Sequence, residues 1–109
     1  MASSVFDQVL VRHMWTTDEM RTVFSDENRL QRWYDFEAAL ALEQAALNII
    51  PDAAAKEIAA RARVEHVDLE AIAAETRIVK HPLVPAVRAL QKACAGRHGE
   101  YVHFGPTSQ

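Results

Sequence analysis

A single cysteine, Cys94, means that no disulfide can close within this chain, which suits a reducing compartment. Three glycines in 109 residues exclude collagen-like and glycine-rich linker sequence. There is no excess of positive charge: 12 Lys and Arg face 15 Asp and Glu, for a net charge of −3. Such a surface has no overall attraction for nucleic acid or an anionic membrane. No apolar run approaches the roughly 20 residues that a membrane helix needs. The segment Met1 to Leu10 has no basic start and is interrupted by Asp7, which argues against a signal peptide. No G-x-G-x-x-G, P-loop or G-x-S-x-G is present, so dinucleotide, nucleotide-phosphate and serine-elbow chemistry lack a sequence basis. His66, His81, His98 and His103 show no HxxxH or HExxH spacing, and no metal site is expected.

What remains is half hydrophobic and a quarter charged, the mix of one small globular domain. Abundant alanine, with apolar residues spaced by three and four, predicts an all-α fold. Thr16 or Thr17 can cap a short helix through Phe24, with Asp18 and Glu19 in its positive first turn. Ser25 is the next cap, opening the longest helix from Asp26 to Leu47. Its core stripe is expected to be Leu30, Trp33, Leu40 and Leu47, widened by Phe36 and Ala39, with Arg29, Arg32, Asp35 and Glu43 opposite. Pro51 suits the first turn of a helix running to Arg63. Asp68 caps another from Leu69 to about Arg77, and Ile78 to His81 reads as a connector. Pro82 and Pro85 fit the opening of a last helix to about Ala95, with Gly96 as its stop. Beyond it, Arg97 to Glu100 is turn-like and Tyr101 to Phe104 reads as extended.

Two places can carry chemistry. Lys80 and His81 precede the last helix, where free N–H groups and the dipole favour an anion. His81 can act there as an acid or base, or can simply cap the helix. Near the end, His103 with Thr107 and Ser108 can hold a carboxylate through several hydrogen bonds, or can be an ordinary Gly-Pro turn.

The run Tyr101-Val102-His103-Phe104-Gly105-Pro106-Thr107-Ser108-Gln109 resembles the first signature of the fumarase/aspartase superfamily. Met20-Arg21, the block Phe24 to Trp33, Glu37-Ala38-Ala39-Leu40, Ile49-Ile50-Pro51 and the histidine segment Thr76 to Val84 are similar to its adenylosuccinate lyase branch. The resemblance implies an enzyme that splits a bond next to a carboxylate and releases fumarate, through a carbanion stabilised by that carboxylate. A 3-carboxy-cis,cis-muconate cycloisomerase is the neighbouring activity, and a helical scaffold without chemistry is the alternative of another class. It implies His81 as catalytic and Lys80, His103, Thr107 and Ser108 as substrate-binding, with no metal or organic cofactor. The substrate would be a small anionic dicarboxylate, with no nucleic acid or membrane as partner. Members are several times longer, form cytoplasmic homotetramers and share active sites among three subunits. Residues 1–109 are therefore expected to be an N-terminal lyase domain, without the central helical bundle and C-terminal domain. Met14 and Trp15 stand where many adenylosuccinate lyases carry a phosphate-contacting Arg-Tyr pair, a departure that puts adenylosuccinate as substrate in doubt.

Overall fold

The computed structural model describes residues 2–106. Within them the chain is all-helical: α1 (Arg12–Trp15), α2 (Asp18–Val23), α3 (Asp26–Ala46), α4 (Asp52–Arg61), α5 (Leu69–Val79) and α6 (Leu83–Ala93). Short 3-10 turns occupy Val64–His66 and His98–Tyr101. The local capping chemistry explains the boundaries. Thr17 accepts a hydrogen bond from the Met20 N–H, Ser25 from Asn28, and Asp68 from Glu70 and Ala71, each satisfying backbone donors that a helix start leaves unpaired. Pro51 and Pro82 are the residues just before α4 and α6. Ile78 and Val79, expected in a connector, complete α5, and Lys80 ends it in the left-handed region at φ 66°.

α4 runs back along α3. The chain reverses through Asn48 at φ 61°, and Gln31 near the start of α3 donates to the Ala62 carbonyl just beyond the end of α4 (3.1 Å) and accepts from the Val64 N–H (3.0 Å). α6 packs across this pair: the Tyr34 hydroxyl donates to the Ala86 carbonyl at 2.8 Å, and Glu57 of α4 accepts from the Ala95 N–H at 3.0 Å. The core is Leu30, Tyr34, Ala41, Ile50, Ala55, Ile58, Ala62, Ile72, Ala86, Leu90, Cys94 and Val102. Its many alanines let helix axes approach closely.

The buried stripe of α3 is therefore Leu30, Tyr34, Glu37 and Ala41, rotated from the expected one. Trp33 packs against the core only in part, and Leu40 is half-buried. Phe36, Ala39 and Leu47 are exposed. The reason is that α4 and α6 both approach α3 on the Tyr34 side, and Tyr34 satisfies its hydroxyl on Ala86, which makes burial of that ring favourable. Arg29, Arg32, Asp35 and Glu43 are exposed as expected.

The 3-10 turn at His98–Tyr101 sits against the end of α6. A Cβ on Gly99 would lie 2.3 Å from the Gln91 carbonyl oxygen. Gly99→Ala is thus expected to lose about 1–3 kcal/mol by overpacking against backbone, measured as a lower urea midpoint. Tyr101, placed in an extended run by its sequence, closes that turn instead, and His103 takes a left-handed conformation at φ 57°.

Burial pushes the Cys94 thiol from its ordinary 9.0 up to about 11, with the Glu57 charge adding to the rise. Burial likewise raises the Tyr34 phenol. An acid whose folded value is raised stays protonated in the fold while the unfolded chain has already ionised, so its contribution is complete at low pH and is lost as pH rises. Stability should fall between about pH 9 and 11, by roughly 2–3 kcal/mol from Cys94. Denaturant melts across that range should show the fall, and Cys94→Ala should lessen it.

Candidate functional site

The segment after the last 3-10 turn is held from both sides. Val102 is buried in the core, and the Gln44 side chain of α3 donates to the Phe104 carbonyl at 2.6 Å. Between these anchors the left-handed backbone of His103 directs its ring toward α3, where Nδ1 contacts Oε1 of Glu37. Histidine tolerates this conformation better than most residues, yet it still carries strain, of a kind that clusters at functional positions.

Glu37 is the buried charged residue of the described core, 3 % exposed. Burial pushes its carboxyl above the ordinary range, and the hydrogen bond and charge of His103 draw it back. Its second oxygen, Oε2, is buried without a hydrogen-bond partner among the described residues. His103 also lines a groove along α6 with Leu83, Val84, Val87, Arg88, Gln91 and Pro106. Arg88 brings a cation to that groove and is itself paired with Glu75 of α5.

Lys80 and His81 form the exposed corner between α5 and α6. The His81 ring caps α6: Nδ1 accepts from the Leu83 N–H at 3.1 Å. That bond places the proton of the neutral ring on Nε2, the nitrogen turned away from the cap. Leu83 also lines the His103 groove, whereas neither Lys80 nor His81 lines it. Lys80 owes its place to the left-handed cap of α5. Thr107 and Ser108 lie outside the described residues. Among those described, no group of three or more His, Cys, Asp or Glu side chains could hold a metal ion, and no helix is long and apolar enough to cross a membrane.

Sequence reasoning missed the pairing of Glu37 with His103. One signal was available: Glu37 follows Leu30 by seven positions, so it falls on a helical stripe otherwise made of Leu30, Tyr34 and Ala41. A carboxylate on an apolar stripe is unexpected unless something pairs with it. The partner, 66 residues away, has no local signature.

Comparison with known proteins adds the following. No family model matches the chain. An N-acetyl-S-(2-succino)cysteine lyase from Dickeya dadantii is 43% identical over 109 residues, all of this chain and 24% of that protein. An adenylosuccinate lyase from Methanocaldococcus jannaschii is 43% identical over 98 residues, 90% of this chain and 21% of that protein. The crystal structure of a 3-carboxy-cis,cis-muconate lactonizing enzyme from Pseudomonas putida superposes with a TM-score of 0.83 at 38% identity, covering 87% of this chain and 22% of that one. The chain thus spans about a quarter of the length of the curated relatives it matches.

Proposed function

Because the chain is related by sequence and fold to lyases of the fumarase/aspartase superfamily, we propose that it is the N-terminal part of an enzyme that eliminates a substituent from a substituted succinate and releases fumarate. A base takes a proton alpha to one carboxylate, the bond from the neighbouring carbon to the substituent breaks, and the substituent leaves with a proton. The intermediate carries added negative charge on a carboxyl group, so fixed donors around it lower the barrier. In this reading Lys80, His103, Thr107 and Ser108 hold substrate carboxylate, and His81 is the catalytic acid at the leaving group. The Nε2–H of His81, turned outward by the cap on Leu83, supports that role. The remaining machinery belongs to central and C-terminal regions beyond residues 1–109, in a cytoplasmic homotetramer.

One observation carries this reading: 43% identity along the whole chain to a protein named as a succinocysteine lyase. The adenylosuccinate lyase is equally identical but over 98 residues, so it is the match along all 109 that favours a succinyl thioether as substrate, and Met14 and Trp15 in place of an Arg-Tyr pair agree, since a thioether without a phosphate does not need that pair. The second reading, a 3-carboxymuconate cycloisomerase, is favoured by the TM-score of 0.83 to the lactonizing enzyme. The complete protein should be incubated with N-acetyl-S-(2-succino)cysteine, adenylosuccinate and 3-carboxy-cis,cis-muconate. Fumarate from the thioether is expected. Lactone formation without fumarate would select the second reading, and no turnover of any of the three would leave a helical scaffold.

The exposed Phe36 and Leu42 of α3, with Leu47 and Ile49 just beyond its end, are then surfaces for the rest of the enzyme or its copies. Residues 1–109 alone should self-associate in sedimentation velocity, and a strictly monomeric chain at high concentration would oppose this.

A further inference from the structure

We propose that a helix from the part of the complete protein that follows residue 109 lies along α3, on the stripe Trp33, Phe36, Leu40 and Leu47, and so walls the site beside the His103 segment. The proposal rests on the reading of residues 1–109 as the N-terminal part of a longer chain. It adds which surface receives the rest, and that the rest arrives from the same chain and not from a copy.

α3 carries two apolar stripes. Its own fold buries the one at Leu30, Tyr34 and Ala41. The other is left over: Phe36 and Leu47 are exposed, Leu40 is half-buried, and Trp33 packs against the core only in part. Trp33, Leu40 and Leu47 follow one another at steps of seven, with Phe36 three positions after Trp33. Such spacing makes a narrow seam of the coiled-coil kind, which one partner helix fits. From Trp33 to Leu47 the seam runs about 21 Å at 1.5 Å per residue, so its partner needs about four turns. An apolar seam on a helix that already has a core is a docking surface.

The path of the chain says what covers it. Gln44 lies four residues after Leu40 and three before Leu47, so the three share one side of α3. Gln44 donates to the Phe104 carbonyl at 2.6 Å, and Glu37, one turn before Leu40, meets the His103 ring. The segment after the last 3-10 turn therefore runs along one border of the seam. Phe104, half-exposed and against Tyr101 with ring centroids 6.1 Å apart, extends the apolar surface on that border. A chain continuing from here starts beside the seam, where its local concentration is high. A second copy would instead lose its translational and rotational freedom to bind there. Enough chain exists for this, since the match covers only 24% of the succinocysteine lyase. At its other end the seam meets a crevice that Trp33 lines with Leu69, Ile72, Ala73 and Pro82. A helix on the seam thus reaches from the His103 segment toward the opening of α6.

A photo-cross-linking side chain, p-benzoylphenylalanine, placed at Leu47 and separately at Phe36 of the complete protein reads the occupant directly. After irradiation, most of the cross-linked product should run at the mass of one chain on a denaturing gel. Mass spectrometry should find each probe joined to a peptide beyond residue 109. Phe36 and Leu47 lie on one straight seam, so the two attachment points should fall about eleven residues apart on a single helix. Product at the mass of two chains would mean that a copy covers the seam, and would overturn the proposal. Attachment only within residues 1–109, or no attachment from either position, overturns it as well. Phe36 is already an exposed aromatic residue, so its variant decides if the Leu47 variant does not fold. The cross-link requires no substrate. A seam covered by its own chain in a protein that turns over none of the candidate substrates would refute the lyase reading and not the docking, and a two-chain product in an active enzyme would do the reverse.

Discussion

Leu90→Ala is expected to remove about 2–5 kcal/mol of folding stability, the range for cavities left by large aliphatic side chains. Leu90 is 0 % exposed, at the centre of the face that α6 turns toward the rest of the core. Much of the surrounding core is alanine: Ala41, Ala55, Ala62 and Ala86. Such neighbours have no longer rotamers to swing into the space, so the site should collapse poorly and the loss should lie in the upper part of the range. Domains of this size hold only about 5–15 kcal/mol in total, so a large share of the stability rests on one side chain. Urea melts of the unsubstituted chain and the variant measure it. Leu47→Ala is the control: Leu47 is 71 % exposed, and its loss should stay within about 0.5 kcal/mol. Equal losses at the two positions would mean that the stripe suggested by sequence spacing, and not the one centred on Tyr34, is the buried one.

His81→Gln in the complete enzyme should lower kcat by about 10²–10⁴-fold, the contribution of a positioned proton donor or acceptor. The glutamine can still accept from the Leu83 N–H, which His81 Nδ1 binds at 3.1 Å, but it cannot deliver a proton near neutral pH. Capping and proton transfer are thereby separated in one variant. A thermal melt should change little, since a lost cap of this type is worth about 0.5–2 kcal/mol and the amide replaces most of it. If His81 binds an anionic part of the substrate instead, KM rises at constant kcat. Unchanged kcat and KM would reduce His81 to a helix cap and leave His103, Thr107 and Ser108 as the candidate site.

Much of the helical frame was legible because its signals are local. Thr17, Ser25 and Asp68 each cap a helix through donors two or three residues on, and such contacts depend on little beyond the neighbouring sequence. The end of α5 ran two residues past its expected stop because Lys80, not a glycine, takes the left-handed cap. The reading of Tyr101 to Phe104 as extended failed for a related reason. Val102 is drawn into the core and Gly99 lets the turn approach Gln91, and neither pull is visible within the segment. The candidate histidines were proposed from their motifs and, for His81, from the helix opening it precedes, while the structure added a contact for each ring.

The sequence by itself determined the helical class, the caps, and the exposed charged side of α3 carrying Arg29, Arg32, Asp35 and Glu43, since hydrophobic spacing and capping act over one or two turns. Only the tertiary structure decided which of two adjacent stripes on α3 is buried, since Trp33 and Tyr34 serve equally well until α6 offers the Ala86 carbonyl to the Tyr34 hydroxyl. Only it brought Glu37 to His103 across 66 residues. A buried carboxylate is tolerable when a partner from elsewhere in the chain meets it, and nothing local to either residue specifies that meeting.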